Sequence, residues 1–133
     1  MSIIHRSGLV GLALMFSAVS AGAESHGNDL VHARQLNGSV FMMNQQHMTL
    51  YVHDLDGQSQ SACDGACAET WPPALLPAGT AMPENYALFQ RTDGTMQIAY
   101  KGRPLYLYSG DTRIGQTNGD GVGGVWQVSR PFE

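Results

Sequence analysis

Leu105-Tyr106-Leu107-Tyr108-Ser109-Gly110-Asp111 decides the reading of this chain, because Leu50-Tyr51-Val52-His53-Asp54-Leu55-Asp56 is a weaker copy of it upstream. Tyr51 and Tyr106 lie 55 positions apart, and Trp71 and Trp126 keep the same offset (106 − 51 and 126 − 71). Both copies therefore read Leu-Tyr, four residues, Asp, with Trp twenty positions after the Tyr. A unit of this size rarely buries its own apolar face, so the duplication predicts two related halves of about 55 residues sharing one core.

Outward from the copies the chain reads as β structure. Val40-Phe41-Met42-Met43 and Met48-Thr49-Leu50-Tyr51-Val52-His53 are apolar and β-prone around the polar Asn44-Gln45-Gln46, which predicts a hairpin ended by the turn at Asp56-Gly57. The segment from Gln58 to Pro83 holds Pro72, Pro73, Pro77 and Pro83 and cannot donate a regular ladder of hydrogen bonds. Strands return at Tyr86–Arg91, Met96–Tyr100 and Leu105–Tyr108, joined by turns at Asp93-Gly94 and Lys101-Gly102, and Val125–Val128 supplies a last one. Met96, Ile98 and Tyr100 fall on one face of their strand. The expected fold is all-β and antiparallel, a small sandwich or partly closed barrel.

The same residues resemble a bacterial family of secreted proteins and lipoproteins with a repeat of unknown function and a Yx(FWY)xxD motif. The second copy, Tyr106, Tyr108 and Asp111, matches the motif; the first, Tyr51, His53 and Asp56, departs from it at His53. The surrounding text is also similar: Cys63-Asp64-Gly65-Ala66-Cys67 leading to Trp71-Pro72-Pro73, Gly102-Arg103-Pro104 before the second copy, and Gly115 to Gly121 before Trp126. The resemblance covers residues 38 to 131. It implies an exported location and a fold unit, and no mechanism.

The beginning of the chain agrees with export. Met1 to Ala23 carries Arg6, an apolar run from Leu9 to Val19 and the small residues Ala21-Gly22-Ala23, the pattern of a secretory signal peptide. That run is shorter than the ~20 residues of a membrane-spanning helix, and no Cys near the cleavage point could take a lipid. The expectation is a periplasmic protein without a transmembrane anchor: a polar lead at residues 24–37, a flexible stretch or a single covering turn, then one β domain at 38–133. Its repeat halves lie near 38–75 and 93–131. With 7 Lys plus Arg against 11 Asp plus Glu the net charge is −4, and no basic run exists to hold phosphates, which argues against nucleic acid as a partner.

Cys63 and Cys67 are the chain's two cysteines, four apart. In an oxidising compartment a disulfide is the default, fixing the segment before Trp71; a redox pair or soft metal site is the alternative, although the spacing is not CxxC.

Three groups of residues are candidates for chemistry. Met42, Met43, His47 and Met48 offer thioether and imidazole ligands that suit copper, Cu(I) above all, against the plainer reading of packing methionines and a solvated histidine. The Gly-rich loop Gly115–Gly124, with Asn118, Asp120 and Asp111 before it, has calcium-type oxygens but lacks the ligand spacing of a calcium loop, and reads as a shaped surface loop. The aromatics Tyr51, Trp71, Tyr100, Tyr106, Tyr108 and Trp126 could form a stacking surface, yet aromatics at the same place in both halves are more simply a shared core. Asp54 and Asp56 precede a turn, and no Ser or Cys nucleophile sits in a recognisable motif, so an enzyme is not expected. The leading expectation is a binding or interaction module without a cofactor. Its contact surface would lie around His53, Tyr108 and the Gly-rich loop, and its partner would be an unidentified periplasmic or envelope protein. The alternative is a copper-handling or electron-transfer accessory protein.

Overall fold

The computed structural model describes residues 30–131; the expected signal peptide and residues 24–29 of the expected lead lie outside the described residues. The fold is antiparallel and nearly all β. Its strands are β1 (Val31–Leu36), β2 (Ser39–Asn44), β3 (Tyr51–His53), β4 (Tyr86–Gln90), β5 (Met96–Tyr100), β6 (Arg103–Pro104) and β7 (Trp126–Val128). Among the described residues helix is confined to α1 (Ala66–Thr70) and a 3-10 turn at Val122–Gly124. No helix there is long and apolar enough to cross a membrane. The sheets are small and none closes: β1 pairs with β2, β3 with β7, and β4-β5-β6 form a meander.

The predicted meander is present, but its third strand is Arg103–Pro104 and not the expected Leu105–Tyr108, because Tyr106 is drawn off to bridge Tyr51 and Pro73. Two expectations are corrected at the amino-terminal end. Residues expected as a polar lead form β1, which pairs with β2 from Val31↔Asn44 to Leu36↔Ser39 around the turn Asn37-Gly38. The strand escaped notice because Ala33, Arg34 and Gln35 are exposed, so no apolar alternation marks it. The hairpin expected between Val40–Met43 and Met48–His53 closes only at its root, with a bridge at Met43↔Thr49 and Leu50 N–H donating to the Met42 carbonyl at 2.9 Å. Beyond it β3 leaves β2, whose free edge passes to Ser129 as the Met42 N–H donates to the Ser129 carbonyl at 2.8 Å, and pairs with β7 from the other half.

The duplication explains these pairings. Adding 55 to β1 gives Tyr86–Arg91, which contains β4 (Tyr86–Gln90), so the expected lead is the first strand of the first repeat. In the first half Leu50 N–H reaches the Met42 carbonyl and Ser129 N–H the Leu50 carbonyl; in the second, Leu105 N–H reaches Ile98 and Ala74 N–H reaches Leu105. Met42 is thus the structural counterpart of Ile98, and both lie in one apolar cluster with Leu50, Val52 and Leu105. The β3–β7 pairing has its own counterpart where Tyr106 bridges Pro73 and Leu107 N–H donates to the Pro72 carbonyl at 2.7 Å. Two prolines leave that copy short of donors, so it remains a pair of contacts and not a strand.

A second cluster gathers Phe41, Met43, Tyr51, Cys63, Trp71, Tyr106, Trp126 and Val128. The Cys63–Cys67 disulfide forms, with Cα atoms 5.2 Å apart, and ties the start of α1 beneath Trp71. Gly119 closes the far side. A Cβ there would stand 2.7 Å from Trp71 Cη2 and 2.9 Å from Tyr51 Cε1. Gly119→Ala should therefore cost about 1–3 kcal/mol through overpacking and lower the thermal unfolding midpoint by at least ~4 °C in a domain of this size. Gly121→Ala, at a positive φ but with open space around it, is the control that reports backbone strain alone.

Candidate functional site

Tyr51 and Tyr106 face each other across the junction of the halves. Each donates its backbone N–H to the other's carbonyl, at 2.8 and 2.9 Å. Their hydroxyls then cross over: Tyr51 donates to Asp111 Oδ2 at 2.5 Å, and Tyr106 donates to Asp56 Oδ2 at 2.6 Å. Each motif tyrosine is thereby completed by the aspartate of the other copy. The carboxylates are filled further, Asp111 by the Asn118 N–H and Asp56 by the Ala62 N–H. Burial, and next the neighbouring carboxylate, push both phenols above the ordinary tyrosine range.

The tryptophans meet on the same junction. Trp71 and Trp126 stack at 3.9 Å between centroids, with planes 3° apart. His53 stacks on the outer face of that pair against Trp126 at 4.1 Å, and Tyr108 against Trp71 at 4.3 Å. The result is a four-ring column, His53–Trp126–Trp71–Tyr108, with Tyr106 edge-on to Trp126 and Tyr51 edge-on to Trp71. His53 and Tyr108 therefore occupy equivalent ends of one column, as their register predicts, and do not share one patch. His53 differs by reaching Asp56 Oδ1 at 3.3 Å through Nδ1.

A polar network that the sequence did not disclose leads away from Tyr106. Its hydroxyl is committed to Asp56, so Ser61 Oγ must donate to it at 2.6 Å. Arg91, 6 % exposed, donates to Ser61 Oγ, Gln97 Oε1, the Cys63 carbonyl and Asp64 Oδ1. Gln97 is fully buried and passes its amide N–H to the Leu105 carbonyl. One signal was available: Arg91, just after β4, and Gln97, on β5, stand where the first half carries Leu36 and Phe41, so a polar pair has entered the second half at apolar positions.

The methionine and histidine set does not converge. Met42 and Met43 are 2 % and 0 % exposed and point into different apolar clusters, as neighbours on a strand must. They are core residues, in line with the plainer reading, and the alternative of a copper site on Met42, Met43, His47 and Met48 finds its first two ligands in separate clusters. His47 is held at φ 61 by the tight loop that Asn44 Oδ1 organises through the N–H groups of Gln46 and Met48. Its ring lies against His32 and Arg34 on β1, where these residues with Ala33 and Gln45 line a cleft of about 410 Å³. In the Gly-rich loop Asp111 and Asp120 accept hydrogen bonds from within the fold, Asp120 from the Val128 N–H at 3.1 Å, so their oxygens organise the loop.

The crossed tyrosines generate a prediction about alkali. A phenol held above its unfolded pKa of ~10 stabilises the fold below that pH, and the contribution is lost as pH rises through the folded value. Tyr51 and Tyr106 behave in this way, as does Tyr86, pushed up to about 12 chiefly by burial and then by Tyr100. Urea unfolding measured from pH 9 to 11.5 should show stability falling, and Tyr51→Phe should reduce the slope by about one proton. At pH 7 the same substitution should cost about 1–3 kcal/mol, because Asp111 loses its donor.

Comparison with curated proteins and with solved structures returned no match. A family model described as a secreted repeat of unknown function matches twice, at residues 37–75 and 87–129. Each match holds one copy of the motif, Tyr51 with Asp56 and Trp71 in the first and Tyr106 with Asp111 and Trp126 in the second, and together they cover more than half of the chain's length. The chain belongs to this family of secreted repeats of unknown function.

Proposed function

We propose that the protein is a non-catalytic binding module that acts in the periplasm after removal of residues 1–23 and recognises a protein of the periplasm or envelope. The observation that carries this reading is the fate of the motif groups. Tyr51, Asp56, Tyr106 and Asp111 are consumed by bonds between the halves, and Trp71 and Trp126 by each other, which leaves the motif to build the scaffold. What a partner can reach is the loop that follows Asp111. Ile114 and Val122 are exposed on it at 62 % and 38 %, and Asn118 joins it to the Tyr108 end of the ring column by donating to the Gly110 carbonyl at 3.2 Å.

A photo-crosslinking residue placed at Ile114 or Val122 in the expressed full chain tests this. A discrete adduct from the periplasmic fraction, absent when the same residue replaces the exposed Leu75, is the expected result. Recovery of the protein only from the cytoplasm, or identical adducts from all three positions, would sink the proposal.

A further inference from the structure

We propose that His32 and His47 form a divalent transition-metal site at the cleft beside β1, separate from the surface assigned above to a protein partner. His32 Nε2 and His47 Nδ1 lie 3.1 Å apart, with ring planes at 75°. Arg34 Nη1 lies 3.1 Å from the same His47 nitrogen. A guanidinium carries donors only, so His47 Nδ1 is the acceptor and the proton between the rings sits on His32 Nε2. A metal ion takes the place of that proton.

The spacing selects the ion. With metal–nitrogen bonds of ~2.0–2.1 Å, cis ligands at tetragonal to tetrahedral angles stand about 2.9–3.4 Å apart, whereas a linear Cu(I) pair needs about 4 Å. The observed distance falls in the first range, so the site suits copper(II), then zinc, in the usual order of affinity. Among the described residues no group of three or more His, Cys, Asp or Glu gathers, so water or an external donor completes the coordination from the open cleft. His32 Nδ1 is buried without a partner among the described residues. Strong imidazole ligands donate their second N–H to a fixed acceptor, so this site binds its metal more weakly than one that has such a partner.

Arg34 opposes a cation and provides the test. Its side chain is exposed and long enough to swing aside, and while in place it repels the ion. The measurement is calorimetric Cu(II) titration with EPR of the untagged protein, in a His26→Gln background that removes the imidazole of residues 24–29. The expected result is one equivalent bound, with two imidazole nitrogens in the EPR spectrum. His32→Gln and His47→Asn should each weaken it at least tenfold, and Asn tolerates the positive φ at position 47. Arg34→Gln should tighten it about fivefold as the repulsion is removed. Unfolding midpoints of the variants show that the fold is kept, and His47→Asn carries the test if His32→Gln does not fold. Binding unchanged in the His32 and His47 variants overturns the proposal. So does an Arg34→Gln variant that binds Cu(II) no better and loses chemical-shift changes that inorganic phosphate produces at His32 and His47, which would make the cleft an anion site.

Discussion

The exchange between Tyr51 and Tyr106 is the constraint on which the rest of the structure depends. Four hydrogen bonds hold it, two between backbones and two from phenol to carboxylate, and each joins one half to the other. In this arrangement neither tyrosine bonds the aspartate of its own repeat, so parting the halves leaves buried phenols and carboxylates without partners, at about 1–3 kcal/mol each. The same junction fixes where the tryptophans fall, and their face-to-face contact fixes the two rings outside them. Duplication here is a requirement of the fold.

Departures from symmetry are concentrated where the two halves carry different residues. His53 replaces the aromatic expected at the Tyr108 position and keeps its stacking role, but it adds a contact with Asp56 that a phenol ring would not make. On the Tyr108 side the space is closed by Gly110, where a Cβ would come within 2.4 Å of the ring; its counterpart, Leu55, is 68 % exposed. The prolines at Pro72 and Pro73 weaken one of two equivalent strand pairings, and α1 with its disulfide stands beside that weaker side.

The Arg91 network is costly to bury and poor evidence of stability by itself. Its Nε has no partner among the described residues, and Asp64, its ion-pair partner, has a side chain 54 % exposed. What the network does is geometric. It ties the loop carrying Cys63 to β5 and to the Tyr106 hydroxyl, so that the disulfide segment, the meander and the crossed tyrosines hold one another in register. Among the described residues the first half has nothing equivalent: at the corresponding place Leu36 and Phe41 line a cleft with Asp120 and Arg130.

By itself the sequence determined that the chain is a duplicated antiparallel β unit and that the repeated aromatics form its core, because these follow from periodicity, turn residues and a fixed offset. Those signals are local, or are carried by the copies themselves. Only the tertiary structure decided which half completes which. No pattern in the chain states that Tyr51 meets Asp111 rather than Asp56, since both spacings are compatible with the motif. Nor did sequence show that Val31–Leu36 is a strand, because its exposed middle carries no alternation and its partner edge supplies the order. Met42 and Met43 looked like ligands beside His47 for want of a direction: side chains next to each other on a strand point apart, and which face each joins is set by what packs there. His32 came next to His47 through strand pairing across 15 residues, a proximity that only folding creates.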